Sequence, residues 1–367
     1  MTTTQAPIAR QQPEANGKHR SAAPPIGHRG AAIRCEILAP HEYTEWDALV
    51  DRSPHGTVFH YSWWLQISAQ RFQILGARDK GGRLVAGIPL PVKRIAGLSL
   101  LHSPTLTPYL GPVFDLTGEE GVCDQLYLMR SYGELLASHI PSFDSFRYLV
   151  GAAGPDLQGF LWAGFHAELA YTFRIPRTQT LESVEQQMTR THRQNLSKAL
   201  RLRLRITRNE GETALEALSR MHHGRHEILL YPDELAKQLC LAAIERGKGE
   251  LYLARSSDNV PIAALVTVHD TRASYQIISA FDTSRESEQG SYILLWEALK
   301  HSLQEGRDYD FEGSSLRGVE KFYRRWGAAA LPVWRLTRIG SIRGFLMQQL
   351  ISRRDARKRK AVAADRK

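Results

Sequence analysis

The segment from Tyr275 to Gly313 constrains the fold more tightly than any other. YQIISAFD reads as a strand, TSRESEQG as a polar loop, GSYILLWEALKHSLQEG as a helix ended by Gly306, and DYDFEG as a second strand. Such a unit needs a sheet with a helix laid against it. The residues around it extend the pattern. ELYLARSSDNVPIAALVTVHDTRASYQIISAFD gives three strands joined by turns at Ser257-Asp258-Asn259 and His269-Asp270. Upstream, Thr180 precedes LESVEQQMTRTHRQNLSKALR, a helix with acids in its first turn and bases in its last, as the helix dipole favours. LWAGFHAELAYTFRIP gives a strand pair, LRLRITR a half-buried strand, and helices cover 211–226 and 232–246.

The first part of the chain is a shorter version of the same logic. IRCEILAP is a strand, HEYTEWDALVDRSP a helix, and GTVFHYSWWLQISAQRF a second helix with Trp63, Trp64 and Ile67 as its apolar stripe. Two strands flank the turn at Asp79-Lys80-Gly81-Gly82, a helix covers 119–139, and FRYLVGAAG is a strand. The class is α/β with mixed sheets, of α+β character, and helices outside. The pattern restarts near residue 155. We therefore expect one lobe over 31–155, a second over 156–340, and an amphipathic helix with a basic tail over 341–367. Residues 1–30, rich in Pro, Gln, Ala and Gly, read as disordered.

Hydrophobic residues make up 43% of the 367 and charged residues 23%, ordinary for a globular protein. No apolar run is long enough to span a bilayer, and the N-terminus lacks the apolar core of a secretory signal. Cys35, Cys123 and Cys240 are far apart and odd in number. They give no disulfide framework and fit a reducing cytoplasm. The net charge of +10 favours an anionic partner: nucleic acid, a phosphorylated ligand or an acidic membrane face. Part of the excess lies over 353–360, where Arg353, Arg354, Arg357, Lys358, Arg359 and Lys360 surround the single acid Asp355. Ahead of it, Ile342, Phe345, Leu346 and Leu350 form an apolar stripe. It could pack on the body of the protein or lie on the inner face of an acidic membrane.

Several residues carry candidate chemistry. Gly290 and Ser291 open a helix, where free backbone N–H groups can hold a phosphate or carboxylate, and Arg285 lies close by. Asp310, Glu312 and Ser314 alternate with Tyr309 and Phe311, so an extended segment points all three polar groups one way. Buried carboxylates need partners, and Arg317, Lys321, Arg324 and Arg325 are the nearest cations. Two readings stay open: a structural salt-bridge network, or the polar wall of a cleft for an anionic substrate. From Arg190 to Arg208 there are seven Lys/Arg, Arg193 and Lys198 among them, and no acid. They form either a solvated face or a surface for a phosphate-rich ligand. His222 and His226 fall at i and i+4 but lack a third ligand, so no metal site is expected. His226 could serve as a base, with Arg225 and Tyr231 bordering an acceptor site. Tyr109, in the proline-pinned PTLTPYLGP, could line the same cleft.

The combination of GSYILLWEALKHSLQEGRDYDFEGS with GVEKFYRRWGA resembles the second half of the FemAB-like branch of the GNAT superfamily. That branch includes the peptidoglycan-bridge aminoacyltransferases and the acetyltransferases grouped with cellulose-biosynthesis CelD/BcsL proteins. The matching pieces are Gly290-Ser291, Leu294-Leu295-Trp296, Gly306, Asp310-Phe311-Glu312-Gly313-Ser314 and Phe322 through Ala328. TRTHRQNLSKALR is similar to the family's basic helix, and TVFHYSWWL to its N-terminal aromatic helix. The resemblance implies two tandem GNAT-like lobes and transfer of an acyl or aminoacyl group from a thioester or ester carrier to an amine. It implies positioning and oxyanion stabilisation rather than a covalent enzyme intermediate. The loop SRESEQGS has one glycine where the superfamily has a glycine-rich pyrophosphate loop, so aminoacyl-tRNA stands beside acyl-CoA as co-substrate, and no cofactor is tightly bound.

The expected assignment makes Glu312, Ser314 and His226 catalytic. Arg285, Gly290, Ser291, Arg193 and Lys198 hold the donor, and Tyr109, Arg225, Tyr231, Lys321 and Arg325 hold the acceptor. The expected function is N-acyl transfer in cell-envelope or exopolysaccharide biosynthesis, in the cytoplasm or peripheral at the inner membrane face, on a small-molecule or envelope-precursor substrate. The alternatives are aminoacyl-tRNA-dependent aminoacyl transfer of the peptidoglycan type and a non-catalytic GNAT-like binding module of a polysaccharide assembly system. An open cleft favours the enzymes; a cleft filled by side chains favours the module.

Overall fold

The computed structural model describes residues 33–119, 121–224, 231–313, 317–347 and 349. The first half runs β1 (Arg34–Ile37), α1 (Tyr43–Arg52), α2 (Ser62–Ser68), β2 (Phe72–Arg78), β3 (Leu84–Pro91), β4 (Lys93–Ile95), β5 (Leu98–His102), β6 (Val113–Phe114), α3 (Val122–His139) and β7 (Ser145–Val150). The second half runs α4 (Gln158–Trp162), β8 (His166–Ile175), α5 (Leu181–Gln187), α6 (Arg190–Arg201), β9 (Arg205–Arg208), α7 (Glu212–Gly224), α8 (Asp233–Glu245), β10 (Gly249–Arg255), β11 (Pro261–His269), β12 (Ala273–Phe281), α9 (Gly290–Gln304), β13 (Asp308–Asp310), α10 (Arg317–Arg324) and β14 (Ala329–Ile339).

The mixed α/β class expected from the sequence is the one observed. One sheet has the order β1-β2-β3-β6; the other spans both halves as β4-β5-β7-β14-β8-β13-β12-β11-β10-β9. Among the described strands, parallel pairing occurs at β5–β7 and β12–β13, and each pair brackets one long helix, α3 or α9. The chain thus contains the same strand–helix–parallel-strand unit twice. β11 is buried on both faces: Ala264 and Val266 enter the core that holds α7 and α8, while Ala263 and Leu265 enter the core that holds α9. A continuous apolar run is what such a strand requires.

Some elements differ from the sequence reading. LWAGFHAELAYTFRIP is one short helix, α4, and one ten-residue strand, β8, rather than two strands. The basic helix is broken at Met188 and Thr189, both extended, because Met188 turns into the core. Arg193 Nη1 secures the break by donating to the carbonyls of Gln186 (2.9 Å) and Met188 (2.8 Å). β14 carries Pro332 and scattered cations, so it gives little strand signal; it is held between β7 and β8. β9 begins at Arg205, and Arg203 precedes it with φ +48.

Candidate active site

β12 and β13 run side by side for only three residue pairs, Ala273–Asp308, Ser274–Tyr309 and Tyr275–Asp310. Past Tyr275, β12 stays with β11. Past Asp310, the chain leaves the sheet through Glu312 and Gly313, with φ +60 and +55. Gly313 is required here, since a Cβ would lie 2.3 Å from the Tyr171 carbonyl oxygen. The strands therefore part as a fork. The alternation that would have aimed Asp310, Glu312 and Ser314 one way ends at Asp310, and Ser314 lies outside the described residues.

A cavity of about 420 Å³ opens beside the fork, within the range of small-ligand sites. Gln276 and Ser279 of β12, Gly290, Ser291 and Tyr292 of α9, Asn195 of α6, and Phe322 and Tyr323 of α10 line it. Gly290 lets α9 sit on β11, a Cβ there being 3.0 Å from the Ala263 side chain. The pairing of β12 with β11 slips at the same level. Val266 meets Ile278 and Thr267 meets Gln276, which leaves Ile277 without a partner on β11. A bulge of this kind re-aims backbone groups.

The base of the fork is a buried polar network. Asp310, with no exposed surface, accepts hydrogen bonds from Thr172 Oγ1 (2.6 Å), Tyr109 OH (3.2 Å), the Glu312 N–H (2.7 Å), Arg174 Nε (3.1 Å) and Arg174 Nη2 (2.7 Å). Its cationic partner is thus Arg174 of β8, not the cations of α10; Arg324 instead pairs with Glu320. Burial, then the charge of Asp310, pushes the Glu312 carboxyl well above the usual carboxylate range. Its Oε1 is buried with no hydrogen-bond partner. Burial, followed by the charges of Glu312 and Asp310, pushes the Tyr323 phenol up to about 12.

Of the residues singled out in the sequence, the structure brings Arg285, Gly290 and Ser291 to the cavity and Glu312 to the fork. Arg285 is already engaged: it donates to both Asp258 oxygens at 3.0 and 2.9 Å and pairs with Glu288. Arg193 is occupied by the α5–α6 break, and Lys198 and Lys321 are exposed. The half-buried Arg325 lies near His192 and Tyr292. Tyr109 belongs to the Asp310 network. Tyr231 bonds to His222 (3.2 Å) and packs on the core that holds α7 and α8, away from the cavity. Arg225 and His226 lie outside the described residues. Asn195, Gln276, Tyr292 and Tyr323 line the cavity without having been singled out. Asn195, Tyr292 and Tyr323 lay inside the stretches that carry the family resemblance, and Gln276 had no such signal.

The N-terminal unit forks in the same way and is filled. Beyond His102 and Arg147, residues 104–112 close the gap between β5 and β7: the Leu110 N–H donates to the Leu149 carbonyl (2.9 Å), and Tyr109 and Leu110 are buried. About 30 Å³ remains, room for one water.

Residues 185–324, which contain the open fork, match the family model described as an acetyltransferase (GNAT) domain. That segment is a GNAT-type acyltransferase domain. No curated protein matches the chain in sequence. Among solved structures, the chain is similar to FemX, at 14% identity over 82% of this chain and 96% of that one, with TM-score 0.62. It is similar to L-PGS from Bacillus licheniformis (10% identity, 86% and 98% covered, TM-score 0.51). It is also similar to the C-terminal domain of a protein assigned as a lysylphosphatidylglycerol synthetase from Agrobacterium fabrum (12%, 84% and 94%, TM-score 0.52). These likenesses show that the chain shares its fold with FemX and L-PGS.

Proposed function

We propose that the protein transfers an acyl group to an amine, with the donor's carrier arm lying along the open edge of β12 and its carbonyl at the fork. One observation carries this reading: β12 leaves β13 after three pairs, and a ligand-sized cavity follows its unpaired edge. An extended arm can hydrogen-bond to that edge as a strand would. The bulge at Ile277 supplies backbone N–H groups for the oxyanion that forms when the amine attacks the carbonyl. Tyr323, kept protonated by its surroundings, donates a proton to the leaving group, and the proton released by the attacking nitrogen leaves through water in the open cavity. Acyl-CoA is the donor class on this reading, and an envelope or exopolysaccharide precursor supplies the amine.

A second reading has a specific support. Asp282 and Glu286 line the cavity near the start of α9, and its one cation, Arg285, is already doubly paired. That surface suits the ammonium of an ester-linked aminoacyl group better than a pyrophosphate. Melting curves and single-turnover transfer with acetyl-CoA, longer acyl-CoAs and aminoacyl-tRNA decide between them. Tyr323→Phe should slow transfer by about 10²–10⁴-fold with donor binding retained. If neither donor class stabilises or acylates with the protein, acyl transfer at this fork is wrong.

A further inference from the structure

At the far end of the ten-stranded sheet, a short helical segment over 342–347 follows β14. Its inward side is Gly344, packed so closely that a Cβ would lie 1.9 Å from the Asp144 carbonyl oxygen. Its other side carries Ile342, Phe345 and Leu346, at i, i+3 and i+4, and these are 80%, 51% and 57% exposed. An amphipathic helix on a soluble body turns its apolar stripe inward; this one turns it out. The β4–β5 hairpin stands beside it and exposes Ile95. The two are joined through Asp144, which accepts from the Ser99 N–H of β5 (2.7 Å) and from the Ser341 hydroxyl.

Cations surround these apolar tips. Lys93 and Arg94 on the hairpin and Arg343 on the helix are exposed; Arg343 lies near Asp144, and Lys93 and Arg94 form no ion pair among the described residues. Arg71 and Arg94 look onto an adjoining groove of about 630 Å³ whose walls hold no carboxylate. The sequence beyond the helix adds six Lys/Arg against one Asp over 353–360. Among the described residues no helix is long and apolar enough to cross a bilayer.

We propose that this end of the molecule is a docking surface for an anionic lipid bilayer. Ile95, Ile342, Phe345 and Leu346 enter the interface, and Lys93, Arg94 and Arg343 meet lipid phosphates. Apolar tips ringed by exposed cations fit that partner. The surface is remote from the fork, so the inference stands apart from the acyl-transfer reading. Cosedimentation of the full chain with phosphatidylcholine vesicles, with and without phosphatidylglycerol, tests it. Binding should require phosphatidylglycerol and weaken with salt. Ile342→Asp with Phe345→Asp should abolish it. Arg94→Gln with Arg343→Gln should lower it about 25-fold, at about fivefold per cation, and the two Arg→Lys replacements should restore it. Equal binding to neutral vesicles, or undiminished binding of the Asp variant, overturns the proposal. So does lipid-free self-association that the Asp variant abolishes, since that would assign the face to a second copy.

Discussion

Arg174→Met removes the cation that holds the base of the fork, together with its weaker pairing to the partly exposed Asp308 at 3.3 Å. The Asp310 carboxylate has no access to water and loses two of its five donors, the only charged ones. Removing one partner of a buried ion pair costs about 3–5 kcal/mol, because the remaining charge is left uncompensated. At about 2 °C per kcal/mol for a chain of this size, the melting temperature should fall by about 6–10 °C. Arg174→Lys keeps the charge but not the two-pronged contact, and should cost about 1.5–3 kcal/mol, the worth of one charged hydrogen bond. The double variant Arg174→Met with Asp310→Leu should cost less than the sum of the single changes, since the fully buried charge is no longer orphaned and Asp308 keeps access to water. Thermal melts followed by circular dichroism read all three. A shift below about 2 °C for Arg174→Met, or strict additivity in the double variant, would refute the reasoning.

Gly290→Val should weaken donor binding at least tenfold by prising α9 off Ala263 and Ile262; isothermal titration with the working donor reads it, and unchanged affinity removes the cavity from the donor path. Burial, then the charge of Arg325, lowers the His192 imidazole to about 4 from an ordinary 6.5. The unfolded chain therefore takes up its proton first, so this contribution to stability is whole above pH 6.5 and is lost as pH falls toward 4. Denaturation across that window should show His192→Gln losing stability less steeply than the parent, by up to about 1 kcal/mol per pH unit. Exposed Cys123 should react with a thiol reagent in the native protein, whereas buried Cys240, its thiol pushed up to about 12, should react only on unfolding; mass spectrometry separates the two.

Features written locally in the chain were legible. The Asp79–Gly82 turn is set by Asp79 Oδ1, which accepts from the Gly81 and Arg83 N–H groups, and Thr180 caps α5 through Ser183. The helix from Gly290 and the carboxylate at Asp310 were equally plain. The partner of that carboxylate was not, because Arg174 lies 136 residues away and only the β8–β13 register brings it near. Proximity in sequence pointed instead to α10, whose cations face water or Glu320. β8 and β14 were obscured for a related reason: much of their length is exposed, so neither shows the alternation of a half-buried strand.

The filled fork explains how the open one keeps its shape. Residues 104–112 carry three prolines, which limit the backbone freedom of the segment that plugs the β5–β7 gap. Thr107 accepts from the indole N–H of buried Trp64 (2.9 Å), and the Tyr109 ring lies against Phe59 and Tyr275, at 6.3 and 5.9 Å between centroids. From there the Tyr109 hydroxyl reaches Asp310 at the base of the second fork. The N-terminal strand–helix–strand unit, its gap filled, thus acts as a rigid post, and its contact falls where β12 and β13 begin to diverge. The divergence needs such a post, because two parallel strands with free edges otherwise gain by continuing to pair. Specialising one unit as support leaves the other free to hold an open, unpaired strand edge beside a ligand-sized cavity.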